Sequence, residues 1–267
     1  MQDVRAEINF NREVQRGYFL MGISTGWDEY TPGQFVMLRP PKGAGLLRMP
    51  FSIADSGNGE IQILYKVCGD GTHALSKLGP LDIIEVLGPL GKGFTLHQEK
   101  GNLIIIAGGI GIAPFVGMLR RIEGKARDVI FYYGAKDANA AGLHRLVSRD
   151  FVRLFIATED GSVGQKGLIT DVFIKDLARP NKLAGPRDPN GNYSCKDLTV
   201  FACGPEGLIR SVVDFLNSKG IVGEVSCEAY MGCGVGLCNS CTIAGKDGYL
   251  KVCEDGPVFK TDEIRFL

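Results

Sequence analysis

The chain has 267 residues, 45% hydrophobic and 22% charged, which suits two medium folding units with a small appendage and excludes global disorder. Thirty Lys and Arg balance thirty Asp and Glu, so the basic surplus of a nucleic-acid binder is missing. The opening MQDVRAEINFNREVQ has no apolar signal core, and no run reaches the length of a spanning helix, so a cytoplasmic protein with no membrane partner is expected.

Residues 1–97 read as short strands separated by turn signals. VRAEINFNREV, GYFLMGIST, GQFVMLRP, EIQILYKV and DIIEVLGP mix alternation with β-branched and aromatic residues. Many short strands at that spacing predict an antiparallel barrel. One helix is expected in it, over HALSKL with Thr72 as its cap. After residue 97 the pattern changes. NLIIIAGG, VIFYYGA, VRLFIAT and LTVFACG are continuous apolar strands, separated by helical runs at FVGMLRRI, AAGLHRLV, ITDVFIKDL and EGLIRSVVDFLNSK. Such alternation predicts a parallel α/β sheet over 98–222. The stretch 180–197 is rich in turn formers and reads as an exposed insertion. The last piece, 223–267, holds too little apolar mass for a core of its own, so it must be stapled by metal or docked on the rest.

Cysteines carry the strongest chemical signal. Five of eight lie after residue 225, where a reducing cytosol makes metal ligation more plausible than disulfides. Cys233, Cys238, Cys241 and Cys253 follow the C-x4-C-x2-C…C spacing of plant-type [2Fe–2S] loops. Gly232, Gly234 and Gly236 let the loop close tightly and bring N–H groups to the sulfurs. A structural zinc site is the alternative, although such loops more often carry two CxxC pairs. Cys227 reads as a core residue, and Cys68 and Cys195 receive no role.

Two further motifs suit nucleotides. In GGIGIAP, Gly108, Gly109, Gly111, Ile112, Ala113 and Pro114 lead from a strand into a helix, where a pyrophosphate can approach the backbone. Cys203, Gly204 and Pro205 close a later strand, and in a parallel sheet both strand ends line one crevice. In the barrel, Arg48, Pro50, Phe51 and Ser52, then Tyr65, Lys66 and Val67, then Gly71 and Thr72 offer extended backbone, a guanidinium, a hydroxyl and a helix N-terminus. After VIFYYGA, Lys136 and Asp137 follow, and an acidic group there suits a ribose 2′-hydroxyl, hence NADH over NADPH.

A barrel with RMPFSI, then GGIGIAP, then CGP, in that order, resembles the ferredoxin-reductase superfamily. With the cysteine quartet the chain is similar to electron-transfer subunits of NAD-linked dihydroorotate dehydrogenases. Met49 stands where the superfamily usually has Arg, and Tyr230 where Arg commonly precedes the cluster loop. The resemblance implies a multidomain chain: an antiparallel β-barrel FAD domain (1–97), an α/β parallel-sheet NAD domain (98–222) and a small [2Fe–2S] domain (223–267). It implies FAD at the barrel residues just named, NAD(H) at GGIGIAP and CGP, and the cluster on the four cysteines. Electrons would run between NAD(H), FAD, the cluster and the FMN of a dihydroorotate dehydrogenase catalytic subunit in a heterotetramer, serving pyrimidine biosynthesis. No catalytic side chain is expected, because cofactors carry the chemistry. Other readings remain: the electron-input subunit of a sulfhydrogenase or of a ferredoxin:NADP oxidoreductase complex, a stand-alone diaphorase, or a non-enzymatic zinc-binding subunit. Met231, Val235 and Leu237 are expected either to face a partner or to pack internally.

Overall fold

The structure, a computed structural model, describes residues 1–96, 102–124, 129–178 and 198–266, so the insertion expected at 180–197 lies outside the described residues. Six strands form the first unit: β1 Gln2–Gln15, β2 Tyr18–Ser24, β3 Phe35–Leu38, β4 Met49–Gly57, β5 Glu60–Lys66 and β6 Ile83–Leu90. They close into an antiparallel barrel in the order β1-β2-β5-β4-β3-β6. Period-two alternation sends one side chain in two inward, and Ile8, Met21, Ile23, Val36, Ile53, Ile63 and Val86 fill the interior.

Helix α1 spans Asp70–Leu75 and corrects the expected cap. Thr72 lies inside the first turn, and its hydroxyl accepts from the N–H groups of Cys68 (2.9 Å) and Gly69 (3.1 Å). The helix therefore begins at Asp70 rather than His73.

The second unit is a seven-stranded sheet of β7 Asn102–Gly108, β8 Val129–Ala135, β9 Val152–Thr158, β10 Gln165–Lys166, β11 Leu198–Cys203, β12 Glu224–Ser226 and, from the end of the chain, β15 Val258–Lys260. Its order is β10-β9-β8-β7-β11-β12-β15, and only the β12–β15 pair is antiparallel. A 3-10 turn over Gly109–Ile112 leads from β7 into α2 Ala113–Ile122. The helix expected over 140–147 is instead a short α3 Ala138–Ala141 followed by a 3-10 turn Gly142–Leu146. Asp137 caps its start, and Gly142, a poor helix former, sits at the change. Helices α4 Ile169–Leu177 and α5 Glu206–Ser218 cover the sheet with apolar faces that include Val172, Phe173, Val212 and Leu216.

The last piece is docked, not free-standing. β12 and β15 extend the sheet across the 222/223 boundary, and a hairpin of β13 Thr242–Gly245 and β14 Gly248–Lys251 projects from it. Val252, Cys253, Phe259 and Ile264 join the core under the sheet. Residues 256–258 fill the elbow between barrel and sheet. The Lys92 N–H donates to Gly256 O at 2.5 Å, and a Cβ on Gly91 would lie 2.5 Å from Pro257 Cδ.

Barrel and sheet are also clamped directly, β4 against α2. Gly117 of α2 lies so close that a Cβ would meet the Tyr30 hydroxyl and stand 2.6 Å from Asp55 Oδ1. One turn on, Arg120 donates to Asp55 Oδ1 at 2.7 Å and to Ser56 O. Arg121 stacks over the Tyr30 ring at 4.2 Å and donates to Tyr30 O. Burial raises the Asp55 carboxyl above its ordinary range against the pull of Arg120. Among the described residues no helix is long and apolar enough to cross a membrane.

Candidate functional site

The chain path β7-β8-β9 grows one way from the sheet centre and β11-β12 the other, so the order reverses between β7 and β11. Ligands of open α/β sheets bind outside the carboxyl ends of the strands at such a reversal. The two sequence motifs meet there backbone to backbone. A Cβ on Gly111 would lie 2.5 Å from Cys203 O, and one on Gly204 would lie 3.0 Å from Gly108 N. Beside them opens a crevice of about 510 Å³, walled by Gly108, Gly109, Ala135, Lys136, Glu159, Thr170, Pro205 and Leu208, with Tyr18 and Lys66 reaching in from the barrel. Asp137 does not line it, because its carboxylate accepts from Ala140 N at 2.9 Å as a helix cap. The acidic groups in the crevice are Glu159, just past β9, and Glu228.

A second cavity, of about 390 Å³, lies between barrel and sheet. Pro50, Phe51, Ser52, Tyr65, Lys66 and Thr72 line it, facing Gly111, Ala113 and Cys203. Three expected residues sit elsewhere. Arg48 makes a two-pronged pair with Asp3 (2.9 Å for each bond) and reaches Glu85 at 3.4 Å. Val67 packs against the barrel core, and Gly71 lies under Met49, whose Sδ would be 2.5 Å from a Cβ there. Of the GGIGIAP and CGP residues, Ile112 and Pro114 are buried and Gly204 opens onto a third groove. The sequence reading missed Ser226, Cys227, Glu228, Ala229, Met231 and Pro257, which close the second cavity from the last piece of the chain. Lys66, Ile110 and Glu228 line both cavities, so the two lie side by side there. Burial raises the Cys203 thiol strongly and the Cys227 thiol to about 12, which keeps both protonated at neutral pH.

The four cysteines of the C-x4-C-x2-C…C spacing gather on one loop and the turn after β14. Cys241 Sγ lies 3.2 Å from Cys253 Sγ, and the Cys233 and Cys238 thiols interact with each other. Gly234 and Gly236 have φ of 73° and 79°, which glycine adopts freely. The resulting turn aims N–H groups at sulfur: Gly236 at Cys253 (3.1 Å), and Val235 and Cys238 at Cys233 (3.4 Å each). The Ser240 hydroxyl, 3.1 Å from Cys238 Sγ, brings that thiol down to about 6, while burial pushes Cys253 up to about 12. Among the described residues no three His, Cys, Asp or Glu side chains are already posed around a single ion; the sulfurs stand in two pairs. Met231 and Val235 pack against the core, whereas Leu237 is 81% exposed and Tyr230 95%.

Comparison with known proteins places these parts. Residues 228–265, which hold all four cysteines, match the family described as the iron-sulfur cluster binding domain of dihydroorotate dehydrogenase B. Residues 105–214 match the oxidoreductase NAD-binding domain. The chain is 36% identical, over 95% of its length and 94% of the relative's, to the dihydroorotate dehydrogenase B (NAD(+)) electron transfer subunit of Clostridium acetobutylicum. The chain belongs to that family of electron transfer subunits. It is thus an oxidoreductase subunit, and its iron–sulfur and NAD-binding regions fall where the motifs lie. Among solved structures, a chain of the NADH-dependent reduced ferredoxin-NADP oxidoreductase superposes with a TM-score of 0.79 at 25% identity, covering 98% of this chain and 90% of that one. A ferredoxin NADP+ reductase from Neisseria gonorrhoeae, solved with bound FAD and NADP, shares the fold at 17% identity with a TM-score of 0.65, covering 82% of this chain and 92% of that one.

Proposed function

We propose that this chain moves electrons between NAD(H) in the crevice at the end of β7 and β11 and the FMN-bearing catalytic subunit of a dihydroorotate dehydrogenase, within a cytoplasmic heterotetramer. FAD in the second cavity would take or give a hydride and exchange single electrons, and a [2Fe–2S] cluster on Cys233, Cys238, Cys241 and Cys253 would carry them one at a time. The observation that carries this reading is the adjacency of the two cavities at Lys66, Ile110 and Glu228, which sets a ligand of one beside a ligand of the other.

The residues present fit each group. The second cavity is a slot of about 390 Å³ between β-strand backbone, Tyr65, Phe51 and the α2 N-terminal turn, a largely apolar lining that suits a heterocycle. Ser52 would hold a polar edge, Thr72 shapes the turn that lines the slot, and Lys66 supplies the positive charge that Arg48, held by Asp3, does not bring. The two sulfur pairs suit two irons with two thiolates each better than one tetrahedral zinc. N–H groups aimed at the sulfurs would favour their charged form. Exposed Leu237 on the cluster loop offers the partner an apolar contact.

Purified protein decides the cofactor content. Flavin released by denaturation should run as FAD, and anaerobic metal analysis should find about two irons per chain. FMN alone, or stoichiometric zinc without iron, would overturn the reading.

A further inference from the structure

Glu228 occupies a position that no motif marked. Its side chain lines the crevice, the second cavity and a third groove of about 710 Å³ beside the cluster loop. Only Lys66 and Ile110 share the first two walls with it. The carboxyl has no hydrogen-bond or ion-pair partner among the described residues, and the protein around it raises it above the usual carboxylate range by desolvation alone. Lys66 is turned toward the Tyr18 ring, with Nζ 5.7 Å from its centroid, and forms no ion pair with Glu228. At the wall between the two ligand cavities this exposed carboxyl is open to contact by whatever is bound there.

We infer that Glu228 is a specificity-determining residue that reads the redox state of the nicotinamide ring, favouring NAD+ over NADH. The inference rests on the proposed reading of the crevice. For hydride exchange the nicotinamide must sit at the junction with the second cavity, which places it against Glu228, while the adenosine end extends toward Lys136 and Glu159. The ring carries one positive charge when oxidised and none when reduced. A carboxylate beside it stabilises the oxidised form, and a ring seated in the junction would displace water that otherwise screens the pair. The cation in turn favours the ionised carboxyl, which burial alone disfavours. Loss of a hydride from NADH creates that positive charge in the ring, so the same group assists oxidation of the bound nucleotide and holds its product.

Dissociation constants for NAD+, NADH and ADP-ribose, measured by fluorescence or calorimetric titration on the full chain, test this without turnover. Glu228→Gln keeps the shape and removes the charge. It should weaken NAD+ by about tenfold, change NADH by less than about twofold, and leave ADP-ribose, which lacks the ring, unaffected. Glu228→Asp should recover part of the NAD+ preference. Equal loss for all three ligands would mean a structural role and overturn the inference, as would an unchanged ratio of NAD+ to NADH. If wild-type protein binds neither ADP-ribose nor NADH, the reading of the crevice itself fails, an outcome separate from failure of the Glu228 role.

Discussion

At the scale of single residues, close approach of backbone decides what the crevice tolerates. Gly111 is wedged against the end of β11, where a Cβ would stand 2.5 Å from Cys203 O and 2.7 Å from Gly204 Cα. Both neighbours are backbone and cannot swing aside, so Gly111→Ala should cost about 1–3 kcal/mol of stability by overpacking. It should also raise the KM for NADH by pushing the two motifs apart. A thermal melt and a dye-coupled NADH assay check this, and an unchanged Tm with unchanged KM would refute it. The sequence shows such positions only in part. The iron–sulfur region was readable because its four cysteines are close along the chain, and GGIGIAP because a strand, a turn and a helix follow one another. Glu228, Met231 and Pro257 were not readable as walls of the second cavity, since nothing local joins them to β4 and β5. Arg48 and Asp137 carry the charge types their expected roles require, yet Asp3 and the Ala140 N–H, respectively, hold them elsewhere.

At the scale of elements, β4 and α2 act as paired struts. Each has one end at the second cavity, Ser52 on β4 and Ala113 on α2, and the other end in the Asp55–Arg120 clamp. Gly117, between them on α2, sets how near the struts lie. Alanine there gains about 1 kcal/mol in helix propensity. Against this, its Cβ would collide with the Tyr30 hydroxyl and crowd Asp55 and Ala54 O, a cost of about 1–3 kcal/mol. The clash wins because three polar groups would have to move from a buried contact. Gly117→Ala should therefore lower Tm by a few degrees and weaken flavin retention on gel filtration, and a higher Tm would show that propensity prevails. The barrel and the strand–helix alternation were legible from period-two and apolar-run patterns. The clamp was not, because Arg120 and Arg121 read on α2 as an ordinary charged helix end.

At the scale of the whole molecule, the last piece of the chain, 223–267, is sewn into both larger units. β15 is hydrogen-bonded to β12 at the edge of the sheet, Pro257 fills the elbow, and Cys227 N–H donates to Pro257 O at 2.9 Å. The sequence foresaw that so small a piece must dock or be stapled, but the pairing of β15 with β12 joins strands some thirty residues apart and leaves no local trace. From Cys253 the backbone reaches Pro257, a wall of the second cavity, in four residues, a span of at most about 14 Å. A carrier module on a tether must diffuse between donor and acceptor, so its throughput falls as the solvent thickens. Here strand pairing and a shared core hold the cluster loop against the larger units, so no excursion is needed to bring donor and acceptor together. Passage of electrons through the chain should thus be indifferent to sucrose or glycerol at constant temperature, and a rate that drops in proportion to viscosity would reveal a swinging module instead.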